Sequence, residues 1–377
     1  MGLKLIRRDL RTDTLPSGYT LTRTGTGSIA SYINSSGVLT FVAADVARFD
    51  YNSSTLARKG LLIEEARTNY LLHNRNISNA AWSLFGAGTA NGAGSATLNS
   101  ETGYRASLGT VTDPLFDNRS ALYQGVTPPI GTFTASIRWA GYLATKSVQA
   151  GLAVGGGNAT TSSILSLPAT SWTTTTITKT AASSVLGNVS MRHDNTAANP
   201  EVLVSAVDLQ LGAFATSHIL TTTASAARGA DVVSIGTPPI TTTQSFAVVL
   251  NYSLLPGASI GGPLFSATNM TGSPGSAASG RTVIRFNSAT NLWDFQHSGG
   301  SLQATAAYVS STITALKLGT DNTNYANATF SGIDWYQGLA TNGQMQQLSN
   351  GTVLGSDRGM IRSPITKIIK SPITGVI

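Results

Sequence analysis

Apolar positions in this chain recur every second residue in short runs, and almost nowhere every third or fourth. Such alternation sends one face of a strand into a core and the other towards solvent. It predicts a first set of strands over 133–142, 146–154, 163–167, 172–180, 185–192 and 202–211. A second set is expected over 246–252, 262–267, 281–287, 293–297, 316–319 and 332–337. Pro128-Pro129 and Gly155-Gly156-Gly157 punctuate the first set. Strands at this spacing, with turns between them, point to an all-β chain of two antiparallel β-sandwich domains.

The ends read differently from the middle. Over residues 1–70, a turn at Pro16-Ser17-Gly18-Tyr19 precedes an alternating run to Thr24. Runs over 30–33 and 38–41 flank Asn34-Ser35-Ser36-Gly37 and predict a hairpin. So small a β-rich unit is not stable alone and is expected to pack on the following sandwich or on a partner. The division is therefore 1–70, a β-rich docking unit; 71–230, a first sandwich; 231–356, a second sandwich; and 357–377, an extended arm. The loop 268–280 is rich in Gly, Ser and Ala and reads as mobile, and 340–349 as a short helical turn. In the arm, Ser363-Pro364-Ile365-Thr366 recurs as Ser371-Pro372-Ile373-Thr374, around Lys367-Ile368-Ile369-Lys370. Proline in both copies disfavours a helix. The arm reads either as a strand added to a neighbouring subunit's sheet or as a disordered end.

Composition narrows the class. The 377 residues include only 11% charged ones and no cysteine, so neither a disulfide framework nor a thiolate metal site is available. Arg7, Arg8 and Asp9 interrupt the start before an apolar signal core forms, and no apolar run is long enough for membrane insertion. The net charge of +7 is uneven. Residues 1–75 hold ten Lys/Arg against six Asp/Glu, and residues 357–377 hold four against one, while the middle is close to neutral. Arg7, Arg8, Arg11, Arg358, Arg362, Lys367 and Lys370, with Ile368 and Ile369, are thus candidates for docking to a partner surface, or else solvated termini.

Two segments carry most information. One runs Ala47-Arg48-Phe49-Asp50-Tyr51, then Gly60-Leu61-Leu62-Ile63-Glu64-Glu65-Ala66-Arg67-Thr68-Asn69. The other is Ala215-Thr216-Ser217-His218-Ile219-Leu220-Thr221, with Arg228-Gly229-Ala230-Asp231 after it. Together with Phe330-Ser331-Gly332-Ile333-Asp334-Trp335-Tyr336 they resemble, in the same order, a signature of bacteriophage head-spike and tail-fibre structural proteins. His218 and Leu220 depart from the family's Tyr and Pro, and Tyr70 from its Leu. The resemblance implies a carbohydrate-binding-module-like jelly roll followed by a concanavalin-like lectin sandwich. It also implies a virion surface protein made in the host cytoplasm, with other virion proteins and host surface glycan as partners.

No residue pattern announces catalysis. Glu64 and Glu65 are neighbours on an expected strand, so they point to opposite faces and cannot flank one glycosidic bond. Arg48, Asp50, Glu64, Glu65, Arg67, Asn69, Arg228 and Asp231 read instead as a structural clasp. Gly257-Ala258-Ser259-Ile260-Gly261 has nucleophile-elbow spacing without the helix that motif needs. The four histidines lack ligand spacing, and Asp321-Asn322-Thr323-Asn324 reads as an Asx turn, so neither metal nor cofactor is expected. Among aromatics, Trp139, Tyr142 and Trp82 are the candidates for stacking on sugar. Three functions compete: a spike or fibre adsorbing to glycan, a capsid or tail cement without glycan binding, and, least favoured, a depolymerase. A homo-oligomer, preferably a trimer, is expected by analogy with phage fibres, and nucleic acid is not an expected partner.

Overall fold

The alternating runs become two stacked antiparallel pairs of sheets in the computed structural model. It describes residues 3–24, 30–85, 94–108, 121–156, 159–193, 200–236, 238–240, 243–259, 262–267, 270–272, 278–298, 300, 302–304 and 316–354. The first sandwich has a seven-stranded sheet that runs from the edge strand Thr173–Ala181 through Gly131–Gly141 and Glu201–Leu211 to Glu101–Ser107. Its partner sheet is led by Lys146–Ala153, Gly187–His193 and Ala121–Val126. Phe133, Ile137, Trp139, Val148, Leu152, Met191, Val207 and Leu209 fill the space between them.

The second sandwich joins an eight-stranded sheet to a five-stranded one. Phe246–Leu254 and Ala328–Gln337 form the middle of the larger sheet, with Ser279–Asn287 and Leu292–His297 beyond. Phe246, Phe286, Trp293, Phe330 and Trp335 make its core, and ring pairs such as Phe286–Trp293 at 4.9 Å add to the burial. The helix Asn342–Ser349 caps the outer face over Ala247, Val249 and Val283. Its start is set locally: Thr341 accepts from the Gln344 backbone and Gln344 bonds back to the Thr341 N–H. The loop 268–280 lies largely outside the described residues; within it, Met270–Gly272 is a strand.

Hydrogen bonding does not respect a division at residue 70. Lys4–Asp9 and Arg58–Ile63 both pair with Ala328–Gln337, and Tyr19–Arg23 pairs with Asp231–Ile235. Four strands of the supposed docking unit are therefore integral to the second sandwich, not packed against the first. The reason is register: Leu21, Phe49, Leu61 and Ile63 complete the second core. Besides Arg67–Asn69, which joins the seven-stranded sheet, only the predicted hairpin, Ala30–Ile33 with Leu39–Val42, lies on the first sandwich. Its turn closes at Gly37, whose φ of +79° suits glycine. Leu39 N–H donates to Glu101 and Arg138 donates to Gly37 O, fixing the hairpin on the outer face of the seven-stranded sheet.

Candidate functional site

The chain passes between the sandwiches four times: after Tyr19–Arg23, before Phe49–Tyr51, after Arg58–Ile63, and between Ala226–Arg228 and Asp231–Ile235. Each crossing supplies charge. Arg23, Arg48, Glu64, Arg228 and Asp231 stand within a residue or two of these points, and all five side chains are at most 1% exposed. Arg48 bridges the two acids, reaching Glu64 at 2.7 Å and Asp231 at 2.5 Å. Arg228 holds Glu64 from the other side at 2.7 Å, and Arg23 holds Asp231 at 2.7 Å. Ser217 completes the shell, giving Glu64 its backbone N–H and its hydroxyl, each at 2.6 Å. Asp231 also accepts the Glu64 N–H at 3.0 Å, and the Asp231 N–H returns to Glu64 O at 2.9 Å.

Burial by itself drives a carboxyl towards its neutral form. At Glu64 that pressure is outweighed by Arg228 and Arg48 and by the two Ser217 bonds, which hold its pKa down at about 2. Burial lowers Arg23 and Arg228, yet a guanidinium so basic stays charged. The network is thus a fixed set of charges with no water-facing carboxylate. That arrangement fixes geometry; it offers no group free to give or take a proton.

The other clasp residues sit around this centre in separate roles. Glu65 turns outward, pairs with Arg67 and contacts Asn327. Arg67 lies on the Phe214 ring at 4.8 Å. Asn69 accepts from Leu71 N and Leu209 N and donates to Ile219 O, pinning the start of the first sandwich. Asp50 does not join the network: it caps Ile33 N at 2.8 Å and pairs with Lys59 at 2.8 Å. Arg23 and Ser217 were missed by sequence reasoning. Tyr19-x-Leu21-x-Arg23 places Arg23 on the strand's apolar face, a signal that was present in the period of two.

A second buried polar group adjoins the first. Asp208 receives Asn74 Nδ2 and Ile219 N at 2.8 Å and lies 3.1 Å from His218 Nδ1. A third is Glu101, gripped by both ends of the Arg138 guanidinium at 2.8 Å. Despite burial, Arg138 keeps the Glu101 carboxyl below its ordinary range. Every Asp and Glu among the described residues has a hydrogen-bond or ion-pair partner. Asp321 accepts Thr323 N and Asn324 N, which makes it the cap of an Asx turn.

The aromatic candidates are not a sugar platform. Trp82 and Trp139 are 1% and 0% exposed; both belong to the first core, and the Trp139 ring N–H is taken by Thr175. Trp139 faces inward because the alternation along its strand counts it with Phe133 and Ile137, and Trp82 lies just before the strand Ser83–Phe85. Tyr142 is half-buried and its ring is covered by Arg105 at 4.1 Å. Of the basic docking candidates, Arg7 turns to the inner face, where it pairs with Asp9 and lies over Trp335. Arg8 and Arg11 remain exposed. Arg358, Arg362, Lys367, Ile368, Ile369 and Lys370 fall outside the described residues. At the nucleophile-elbow segment, Pro256 and Gly257 form a turn closed by the Ala258 N–H on Leu255 O, and the next described element, Phe265–Ala267, is a strand.

No protein-family model matches the chain, and no curated protein does. It is similar to several solved structures. One is a carbohydrate-binding module of family 61 in complex with β-1,4-galactotriose, at 15% identity over 38% of this chain and 99% of that one, with a TM-score of 0.28. Another is the tandem of family 22 modules from Paenibacillus barcinonensis Xyn10C, at 9% identity over 74% of this chain and 92% of that one, with a TM-score of 0.30. An arabinose-bound α-L-arabinofuranosidase aligns over 52% of this chain and 32% of its own, at 12% identity and a TM-score of 0.30.

Proposed function

We propose that this chain is a non-catalytic structural protein of the bacteriophage particle, displayed on its surface as a spike or fibre and adsorbing reversibly to host polysaccharide. One observation carries the reading. Arg48, Glu64, Arg228 and Asp231, which belong to the stretches resembling phage spike and fibre proteins, are consumed in a dry network that joins the two sandwiches. What the motif encodes is architecture, as a display module requires. Immunogold labelling of intact particles, with antibody raised against the purified chain, tests it. Gold on the particle surface is the expected result; absence of the chain from purified particles sinks the reading.

A capsid or tail cement without glycan binding is the second reading. It is favoured by the burial of all five Trp side chains, none of them more than 4% exposed. Retention of the purified protein on immobilised host polysaccharide separates the two. Adsorption predicts retention, and flow-through at high avidity favours cement. The homo-oligomer, with a trimer preferred, is part of the proposal, and light scattering on the purified chain measures it.

A further inference from the structure

The outer face of the eight-stranded sheet carries a strip of arginines that the inner network does not use. Arg8 opposes Asp334 across the first strand pair, and Asn251 opposes both Gly332 and Arg281 across the next two. Arg11 lies flat on Gly332: a Cβ added there would stand 2.5 Å from the guanidinium carbon. Arg281 reaches inward from the far side, donating to Asn251 at 2.6 Å and to the helix-end carbonyl of Leu348 at 3.3 Å. The strip thus spans three inter-strand spacings, about 14 Å.

Its charge does not balance. Arg11 holds Asp334 at 2.6 Å, and Arg8 stands at 3.7 Å, beyond hydrogen-bond reach. Asp334 is 3% exposed, whereas the Arg8 and Arg11 side chains are 46% and 43% exposed. Two exposed guanidinium groups therefore crowd one sunken carboxylate, and Arg281, two strands away and held by Asn251 and Leu348 O, extends the positive strip. Burial and Asp334 raise the Tyr336 phenol, while Arg8, Arg281 and Arg11 act against them, so all three cations bear on one spot. A guanidinium fork matches a carboxylate in two parallel bonds. Partly exposed on a strand surface, it takes such a group without the cost of full burial.

We infer that Arg8, Arg11 and Arg281 form a subsite for the carboxylates of an acidic polysaccharide, laid across the sheet beside the helix Asn342–Ser349. This rests on the adsorption reading and names its substrate class: a glycan bearing uronic acids. The full chain is titrated with polygalacturonate, with neutral dextran and galactan, and with polyglutamate of matched charge. Salt-sensitive binding to polygalacturonate, well above that to polyglutamate, is expected. Arg8→Gln with Arg11→Gln weakens it about tenfold or more, the size of a lost charge-assisted contact, while Lys146→Gln leaves it unchanged. Arg8→Gln alone gives a smaller loss in the same direction and keeps the test valid if the double variant misfolds. Equal binding to polyglutamate, or unchanged affinity in the arginine variants, overturns the subsite. Binding to neutral glycan alone, or to none of these while immobilised host polysaccharide still retains the chain, overturns it and leaves adsorption standing; loss of that retention as well removes both.

Discussion

Glu64 is a carboxylate with no water to stabilise it, so its charge depends on Arg228, Arg48 and Ser217. Glu64→Gln leaves the Arg228 guanidinium without its acid and Arg48 with Asp231 alone, and breaking a buried pair in this way costs about 3–5 kcal/mol. Urea unfolding measures that loss. The same residue sets a pH dependence. Its folded pKa of about 2 lies below the ordinary 4.5, so its contribution is present above pH 4.5 and is lost as pH falls towards 2. Thermal midpoints read from pH 6 down to 2 should fall through that window, and Glu64→Gln should flatten the fall. Glu101, lowered as well, steepens it in the wild type. The sequence displayed these acids and arginines, and adjacency alone showed that Glu64 and Glu65 part company. It did not display that Arg23 meets Asp231, because the two are far apart in the chain and meet only through strand pairing.

At the scale of elements, the first strand is the most telling. Lys4–Asp9 lies beside Ala328–Gln337, and Asp9 accepts both the Trp335 ring N–H and the Tyr19 hydroxyl at 2.7 Å. Removing residues 1–12 strips that acceptor from a fully buried indole and leaves half of a central strand unpaired. The truncated protein should unfold at lower denaturant than the full chain, with tryptophan fluorescence and circular dichroism both reporting the shift. Gly60 gives a sharper local test. Its φ is +112°, and a Cβ there would fall 2.1 Å from Phe330 O across the strand pair. Gly60→Ala should destabilise by about 1–3 kcal/mol, read from the shift in chemical denaturation midpoint. The period-two alternation made most of the strands of both sandwiches legible, since an apolar face of Val, Ile and Trp is a local signal. Sheet membership was not legible. Nothing within residues 1–70 says that their strands complete a core made by residues 231–337.

The whole molecule is joined at the four crossings, and that sets how it comes apart. A polypeptide with two sandwiches linked by one strand pair would unfold in two steps, each sandwich on its own. Here Arg23, Arg48, Glu64, Arg228 and Asp231 tie every crossing to one dry centre, and the Ala30–Ile33 hairpin leaves the second sandwich to pack on the first. Opening the junction by itself would bring five charges into water but would also release the loops that hold Ser217 and Asn69. The two halves should therefore unfold together, as one calorimetric transition with matching calorimetric and van't Hoff enthalpies. Asp231→Asn together with Glu64→Gln removes both acids and leaves three buried cations facing one another. In that variant the single transition should split into two, with the first sandwich the more stable member because its core and the Asp208 network lie wholly within residues 69–221. One transition persisting in the double variant would show that packing, not the buried charge, couples the halves.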